Sequence, residues 1–223
     1  MTGTKKHLPV IPVWIIVSVA AFLIMSAVPK AHAESAGNLA AFLERIEKKA
    51  AEVKSFTSRF IQKKNLLVFS RPVIFYGRLV MEKPARLRWE FTAPIASVLI
   101  LANNKGIKCQ DDSRQVFDLD SDPAMQMVTR QMWAWMSGDY SKLRDTYQLK
   151  MTGENTLLLT PTQSGVAGVI DSIRLRFAEP DLHPEEVLIT ESGGDTTRIS
   201  FSQYRINPAL PENIFSDCLI DAE

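Results

Sequence analysis

Gly77-Arg78-Leu79-Val80-Met81-Glu82-Lys83-Pro84-Ala85-Arg86-Leu87-Arg88-Trp89-Glu90-Phe91 is the stretch whose reading decides the fold. On both sides of Lys83-Pro84 the character of the side chains alternates with a period of two. Val73, Phe75, Gly77, Leu79 and Met81 fall on one face before the turn. After it, Leu87, Trp89 and Phe91 share a face, and Arg86, Arg88 and Glu90 take the other. A helix would repeat its apolar positions at three and four residues; strict alternation belongs to a strand with one face against a core. Two such runs around a proline turn predict an antiparallel hairpin.

The same period extends outward. Strands are expected at 55–63, 72–82, 85–91, 95–102, 107–110 and 115–119, then at 147–152, 156–160, 172–178, 186–191 and 196–204. Gly153, Gly165, Gly168, Pro180, Pro184 and Gly193-Gly194 punctuate the second set. Before the first strand, Leu39, Phe42, Leu43, Ile46, Ala50 and Val53 recur at helical spacing behind Asn38, a candidate N-cap. Between the two sets, Asp122-Pro123 opens a second helical segment reaching about Met136. It carries Met125, Met127, Met132, Met136, Trp133 and Trp135. No linker or repeat divides this order. The connections are short, so the sheet is expected to be antiparallel and strongly curved.

Lys5 and Lys6 precede an uncharged apolar run from Ile11 to Val28, followed by Ala31-His32-Ala33. A basic start, an apolar stretch and A-x-A make a secretory signal, with cleavage expected between Ala33 and Glu34. An uncleaved anchor is the rival reading, since the run could just span a bilayer. Residues 1–33 are thus expected to be a signal peptide and 34–223 a single exported domain. Cleavage removes Lys5, Lys6 and Lys30 and no acid, turning 26 basic against 25 acidic side chains into a net charge of −2. That balance argues against nucleic acid as a partner. The compartment is oxidising, so Cys109 and Cys218 could pair.

Chemistry-bearing motifs are scarce. His183 is the one histidine left after cleavage, and it precedes Pro184 in a polar stretch. No GxSxG, P-loop, HExxH or CxxC occurs. Neither an enzyme, a metal site nor a cofactor is expected. The apolar face is more informative. Phe60, Phe75, Leu79, Leu87, Trp89, Phe91, Leu99 and Leu101 point inward in the strand reading, and the methionine-rich segment opposes them through Met132, Trp133 and Met136. Methionine is adaptable and frequent on apolar surfaces that accept varied partners. A curved sheet facing such a helix suggests an apolar ligand cavity. Plain core is the ordinary reading of such a stripe. In an empty carrier the two coincide, so both stay open on this evidence.

Ser55-Phe56-Thr57-Ser58-Arg59-Phe60-Ile61-Gln62 resembles the SFxxxFxQ opening of LolA-type outer-membrane lipoprotein carrier proteins. Gly77–Glu90 resembles their GxLxxxxPxxxxW segment, and Pro94, Val98-Leu99-Ile100 and Asn104-Lys105-Gly106 continue the pattern. The resemblance covers nearly all of 38–215. It implies a mainly β fold with α: an incomplete antiparallel β-barrel of about eleven strands covered by a lid of two to three helices. It also implies a monomeric carrier in the periplasm whose cavity holds lipoprotein acyl chains, taken from an inner-membrane exporter complex and passed to an outer-membrane receptor. Many members have Arg before the motif proline, bonded to lid backbone; here Lys83 stands there as the candidate lid latch, a point donor in place of a planar fork. That departure leaves two alternatives: a carrier of another lipid or glycolipid, or a lipid-sensing regulatory module on the same fold. Since the implied fold needs no bridge, Cys109 and Cys218 are expected to be separate core residues.

Overall fold

The computed structural model describes residues 30–122, 125–126, 129, 132–133, 136, 138–140, 142–162 and 164–218. The apolar run at 11–28, together with Met127 and Trp135 of the insert, lies outside the described residues. The chain falls into two units, Met1–Ala36 and Gly37–Glu223; the sheet and its core belong to the second.

Helix α1 runs Lys30–Ala51. It starts earlier than the apolar spacing implies, so Asn38 lies within it rather than at its start. The alanines at 31, 33 and 36 are strong helix formers and continue the helix past that polar residue. Its apolar stripe is buried, with Phe42, Leu43 and Ile46 at 1–3% exposure. Lys48 and Lys49 in the last turn complement the helix dipole.

Eleven strands follow: β1 (Ser55–Asn65), β2 (Val73–Glu82), β3 (Arg86–Ala93), β4 (Ser97–Ala102), β5 (Lys105–Gln110), β6 (Ser113–Asp118), β7 (Tyr147–Gly153), β8 (Thr156–Pro161), β9 (Ile170–Phe177), β10 (Pro184–Glu191) and β11 (Thr196–Ile206). All eleven expected strands are present, with ends shifted by a few residues. They form one sheet in the order β6-β5-β4-β3-β2-β1-β11-β10-β9-β8-β7, with antiparallel ladders throughout. Every neighbour is sequential except β1 and β11, whose pairing joins two meanders into one sheet. The edges are β6 and β7, and no ladder joins them among the described residues, so the sheet is open. Residues 119–146 connect those edges. In that insert Met125, Gln126, Thr129, Met132, Trp133 and Met136 are helical. Asp122 caps it: Met125 N–H donates to its Oδ1 at 3.0 Å and Gln126 N–H to its carbonyl at 2.9 Å.

The sheet has two buried faces. The inner one packs Phe56, Phe60, Leu79, Met81, Leu87 and Trp89 against α1 and, across the sheet, Leu157, Ile173, Leu175 and Val187. The outer one is smaller: Val80, Val98, Ile100 and Cys109 lie under Phe215. Arg88 and Glu90 alternate away from the inner core, as their period requires, yet they are 3% and 1% exposed because the segment after β11 covers them. Arg88 Nε donates to Glu90 Oε2 at 2.8 Å, and its Nη1 donates to the carbonyls of Asp217 at 2.6 Å and Ile214 at 3.2 Å. Arg78 adds a contact to Glu90 at 3.3 Å. The guanidinium of Arg86 lies 5.1 Å from the ring centre of Phe215.

The cysteines depart from expectation. Cys109 and Cys218 are bonded, with Cα atoms 5.9 Å apart, and so fasten the C-terminal segment to the outer face. The segment contributes a small apolar core and two backbone acceptors for Arg88, and the bridge closes a loop spanning 109 positions. The loop-closure model assigns such a bridge about 4.7 kcal/mol, and measured gains are often smaller.

Two outcomes are expected. Unreduced protein takes up no alkylating reagent at Cys109 or Cys218, and reduced, unfolded protein takes up one at each, read by peptide mass spectrometry. Glu90→Ala removes the carboxylate to which the buried Arg88 Nε donates and costs about 3–5 kcal/mol in urea unfolding. Glu90→Ala combined with Arg88→Met recovers part of that loss.

Candidate functional site

The inner wall is built around a residue with no side chain. A Cβ at Gly77 would sit 2.4 Å from Phe60 Cζ and 2.1 Å from the Glu90 carbonyl oxygen. Glycine there lets the Phe60 ring cross β2 and reach β3. Phe60 then lies 4.7 Å from Trp89 and 5.4 Å from Phe91, centre to centre. Trp89 and Phe91 are 6.4 Å apart, and Phe75 meets Phe91 edge-on at 5.5 Å. Such tilted and edge-on pairs each add about 0.5–1.5 kcal/mol beyond the area they bury.

Of the wall residues singled out from sequence, Phe60, Leu79, Leu87, Trp89 and Met136 are buried in one cluster. Phe91, Leu99, Met132 and Trp133 are partly buried against it. Phe75 stands at its margin, half-buried and joined through Phe91. The wall is not uniformly apolar. Ser58, on β1 between Phe56 and Phe60, is 4% exposed, and its hydroxyl has no hydrogen-bond partner among the described residues.

Lys83 sits at the end of β2, where its N–H donates to the Lys54 carbonyl at 2.8 Å. Its Nζ donates to the Ala50 carbonyl at 2.6 Å, in the last turn of α1. That carbonyl also accepts from the Val53 N–H at 3.1 Å, so Lys83 shares an acceptor at the end of the helix. Burial lowers the Lys83 pKa. The insert meets the same place: Gly138, at φ +81°, lies so close that an added Cβ would be 2.0 Å from Ala50 Cβ. Lys83 thus holds the end of α1 beside the point where the insert touches it. A cleft of about 30 Å³ lies there, lined by Ile46, Lys83, Met136, Gly138, His183 and Tyr204 among others. It has room for a water or two.

Asn207 is a further fastener that the sequence reading missed. Its Oδ1 accepts from the N–H groups of Lys54 at 2.7 Å and Ser55 at 3.1 Å, and its Nδ2 donates to the Glu52 carbonyl at 3.0 Å. One amide serves three backbone groups where α1 gives way to β1. The only local hint was an asparagine before proline. His183 stacks on Tyr204 at 4.1 Å, and its burial lowers its pKa despite Asp181 and Glu185 nearby. Tyr140, wholly buried, has its pKa raised by desolvation first and by Tyr204 second. Among the described residues, no cluster of His, Cys, Asp and Glu could hold a metal ion, and no helix is long and apolar enough to cross a membrane.

Comparison with known proteins matches this arrangement to one family. The family model for the outer membrane lipoprotein carrier protein LolA matches residues 51–218. The chain is 29% identical over 189 residues to an outer-membrane lipoprotein carrier protein of Dechloromonas aromatica, covering 83% of this chain and 84% of the relative. It is 27% identical over 139 residues to one of Halorhodospira halophila, covering 62% of this chain and 63% of that protein's length. In fold it is similar to an uncharacterized conserved protein from Thermus thermophilus, with a TM-score of 0.51 at 11% identity, covering 83% of this chain and 96% of the other. The match to the family model spans β1 through the disulfide-bonded Cys218, and with it the chain belongs to the LolA family of outer membrane lipoprotein carrier proteins.

Proposed function

We propose that this chain is a periplasmic carrier that shields the acyl chains of lipoproteins and moves them from an inner-membrane exporter toward an outer-membrane receptor. The observation that carries the reading is the single apolar cluster shared by the wall and the insert. Phe60, Leu79, Leu87 and Trp89 are continuous with Met136, and Phe91, Leu99, Met132 and Trp133 are its half-exposed margin. An acyl chain would enter by displacing the insert, whose methionines can repack around it. Each methylene removed from water contributes about 0.8 kcal/mol, enough to keep a multiply acylated protein in solution only while it is covered. Transfer needs graded affinity and no catalysis, so no enzymatic activity is assigned.

The finer parts of the reading follow. Cleavage after Ala33 releases the domain to the periplasm as a monomer. The lid comprises α1 and the helical insert, two or three helices in all, and Lys83 latches it through the Ala50 carbonyl. A latch with one point donor holds less firmly than a bidentate arginine. That single observation favours a second reading on the same fold: a divergent carrier whose cargo is another lipid or glycolipid.

Leu99→Glu places a carboxylate on the half-buried margin of the wall. It is expected to weaken uptake of a fluorescent fatty-acyl probe by about tenfold or more, the worth of two or three methylene contacts, with a small change in melting temperature. Joint loss of fold and uptake, or no uptake by the unaltered protein, counts against the carrier reading. Lys83→Leu is expected to load the probe faster and retain it less well in stopped-flow uptake and release. Lys83→Arg is expected to slow both steps. Unchanged rates in both would reduce Lys83 to a structural cap on α1.

A further inference from the structure

The β1–β2 connection carries Leu67, Val68 and Phe69, three consecutive apolar residues 74%, 84% and 58% exposed. Their outward placement is built rather than loose. Leu67 N–H donates to Asp195 Oδ1 at 2.8 Å, and Phe69 N–H closes a turn on the Leu66 carbonyl at 2.9 Å. At the base of the tip, Asn65 Nδ2 donates to Thr196 Oγ1 at 3.0 Å. Because the sheet is antiparallel, the β3–β4 and β8–β9 connections turn at this same end, and they present Ile95 at 55% and Val169 at 60% exposure. Val169 is tied in through its carbonyl, which accepts from Ser192 N–H at 3.0 Å in the neighbouring β10–β11 turn.

Along the β1–β2 hairpin itself the charge has one sign. No acidic residue lies between Lys54 and Glu82, and Arg59, Lys63, Lys64, Arg71 and Arg78 all do. Lys63 and Arg71 are exposed on either side of the tip and Lys64 is half-exposed. Asp195, the acid that contacts the tip, is engaged with the Leu67 N–H. Glu191 and Asp171 are also at this end, on β10 and β9 beyond β11, and Asp111 and Asp112 are in the β5–β6 turn at the far edge of the sheet.

We propose that the β1–β2 hairpin docks on an anionic bilayer, with Leu67, Val68 and Phe69 entering the headgroup region while Lys63, Lys64 and Arg71 lie against lipid phosphates. The shape selects the partner. A stable protein interface covers at least about 1,000 Å² with complementary relief, and three side chains on a convex hairpin tip supply only a fraction of that. A bilayer accepts a convex apolar wedge without a matching pocket. It also rewards nearby cations, each worth roughly a fivefold gain in partitioning near an anionic surface, an effect that salt screens. This docking is independent of the nature of the carried lipid.

The test uses the full chain with its disulfide intact, so that one added thiol can be labelled alone. An environment-sensitive fluorophore is placed at Val68→Cys and, at the opposite end of the sheet, at Glu154→Cys. With vesicles of phosphatidylglycerol and phosphatidylcholine, the label at 68 is expected to shift to the blue and to be quenched by shallow brominated lipids, and the label at 154 to stay aqueous. Replacing Lys63, Lys64 and Arg71 by Glu is expected to raise the half-saturating lipid concentration more than about tenfold. Acyl-probe uptake by that variant should be retained, which separates failure of docking from failure of the carrier reading. An aqueous signal at 68, equal signals at both ends, or an equal response on phosphatidylcholine alone would overturn the proposal.

Discussion

The Phe60 ring occupies the space that a side chain at 77 would fill, and much of the inner wall depends on that exchange. β1 and β2 pair Phe60 with Gly77, and β2 and β3 pair Gly77 with Phe91. A bulkier residue would have to push Phe60 off the wall or the Glu90 carbonyl out of line. The glycine therefore acts on both faces. On the inner one it admits an aromatic group running from β1 to β3. On the outer one it is adjacent, through that carbonyl, to the residue whose carboxylate pairs with Arg88.

The outer face shows how charge can be buried without being stranded. Arg88 has a carboxylate partner and two carbonyl partners, and the carbonyls come from a segment with no strand structure of its own among the described residues. Removing water from such a pair is costly, and only full satisfaction of its donors offsets the cost. The C-terminal segment supplies that satisfaction, and the disulfide keeps it there. The β-sheet, the ion pair and the bridge form one mutually dependent unit on the side opposite the apolar wall.

Much of this was legible in sequence because alternation is a local signal. Phe60, Leu79, Leu87 and Trp89 announce their common face through a period of two, and the Lys83-Pro84 turn marks the hairpin between them. What escaped was non-local. Two cysteines 109 positions apart carry no indication of whether their Cβ atoms face each other. The burial of Arg88 and Glu90 left no sign because nothing near them in sequence covers them. Asn207 gave no more than its place before a proline, because its role is to complete backbone groups 152 to 155 residues earlier in the chain. The start of α1 was misplaced for a different reason: a run of alanine propensity overrode a polar residue that would cap a helix in another setting.

The pairing of β1 with β11 has a consequence for how the molecule comes into being. The two strands at the centre of the sheet are its earliest and latest, with Phe56 opposite Ile206. Until β11 exists, the two halves of the sheet have no common seam, and the wall of Phe60 and Trp89 lacks the neighbour that continues it toward Ile173 and Leu175. Such long-range closure slows folding, because the entropy of bringing distant segments together is lost before any contact rewards it. A chain of this topology completes its interior only when its last strand is in place.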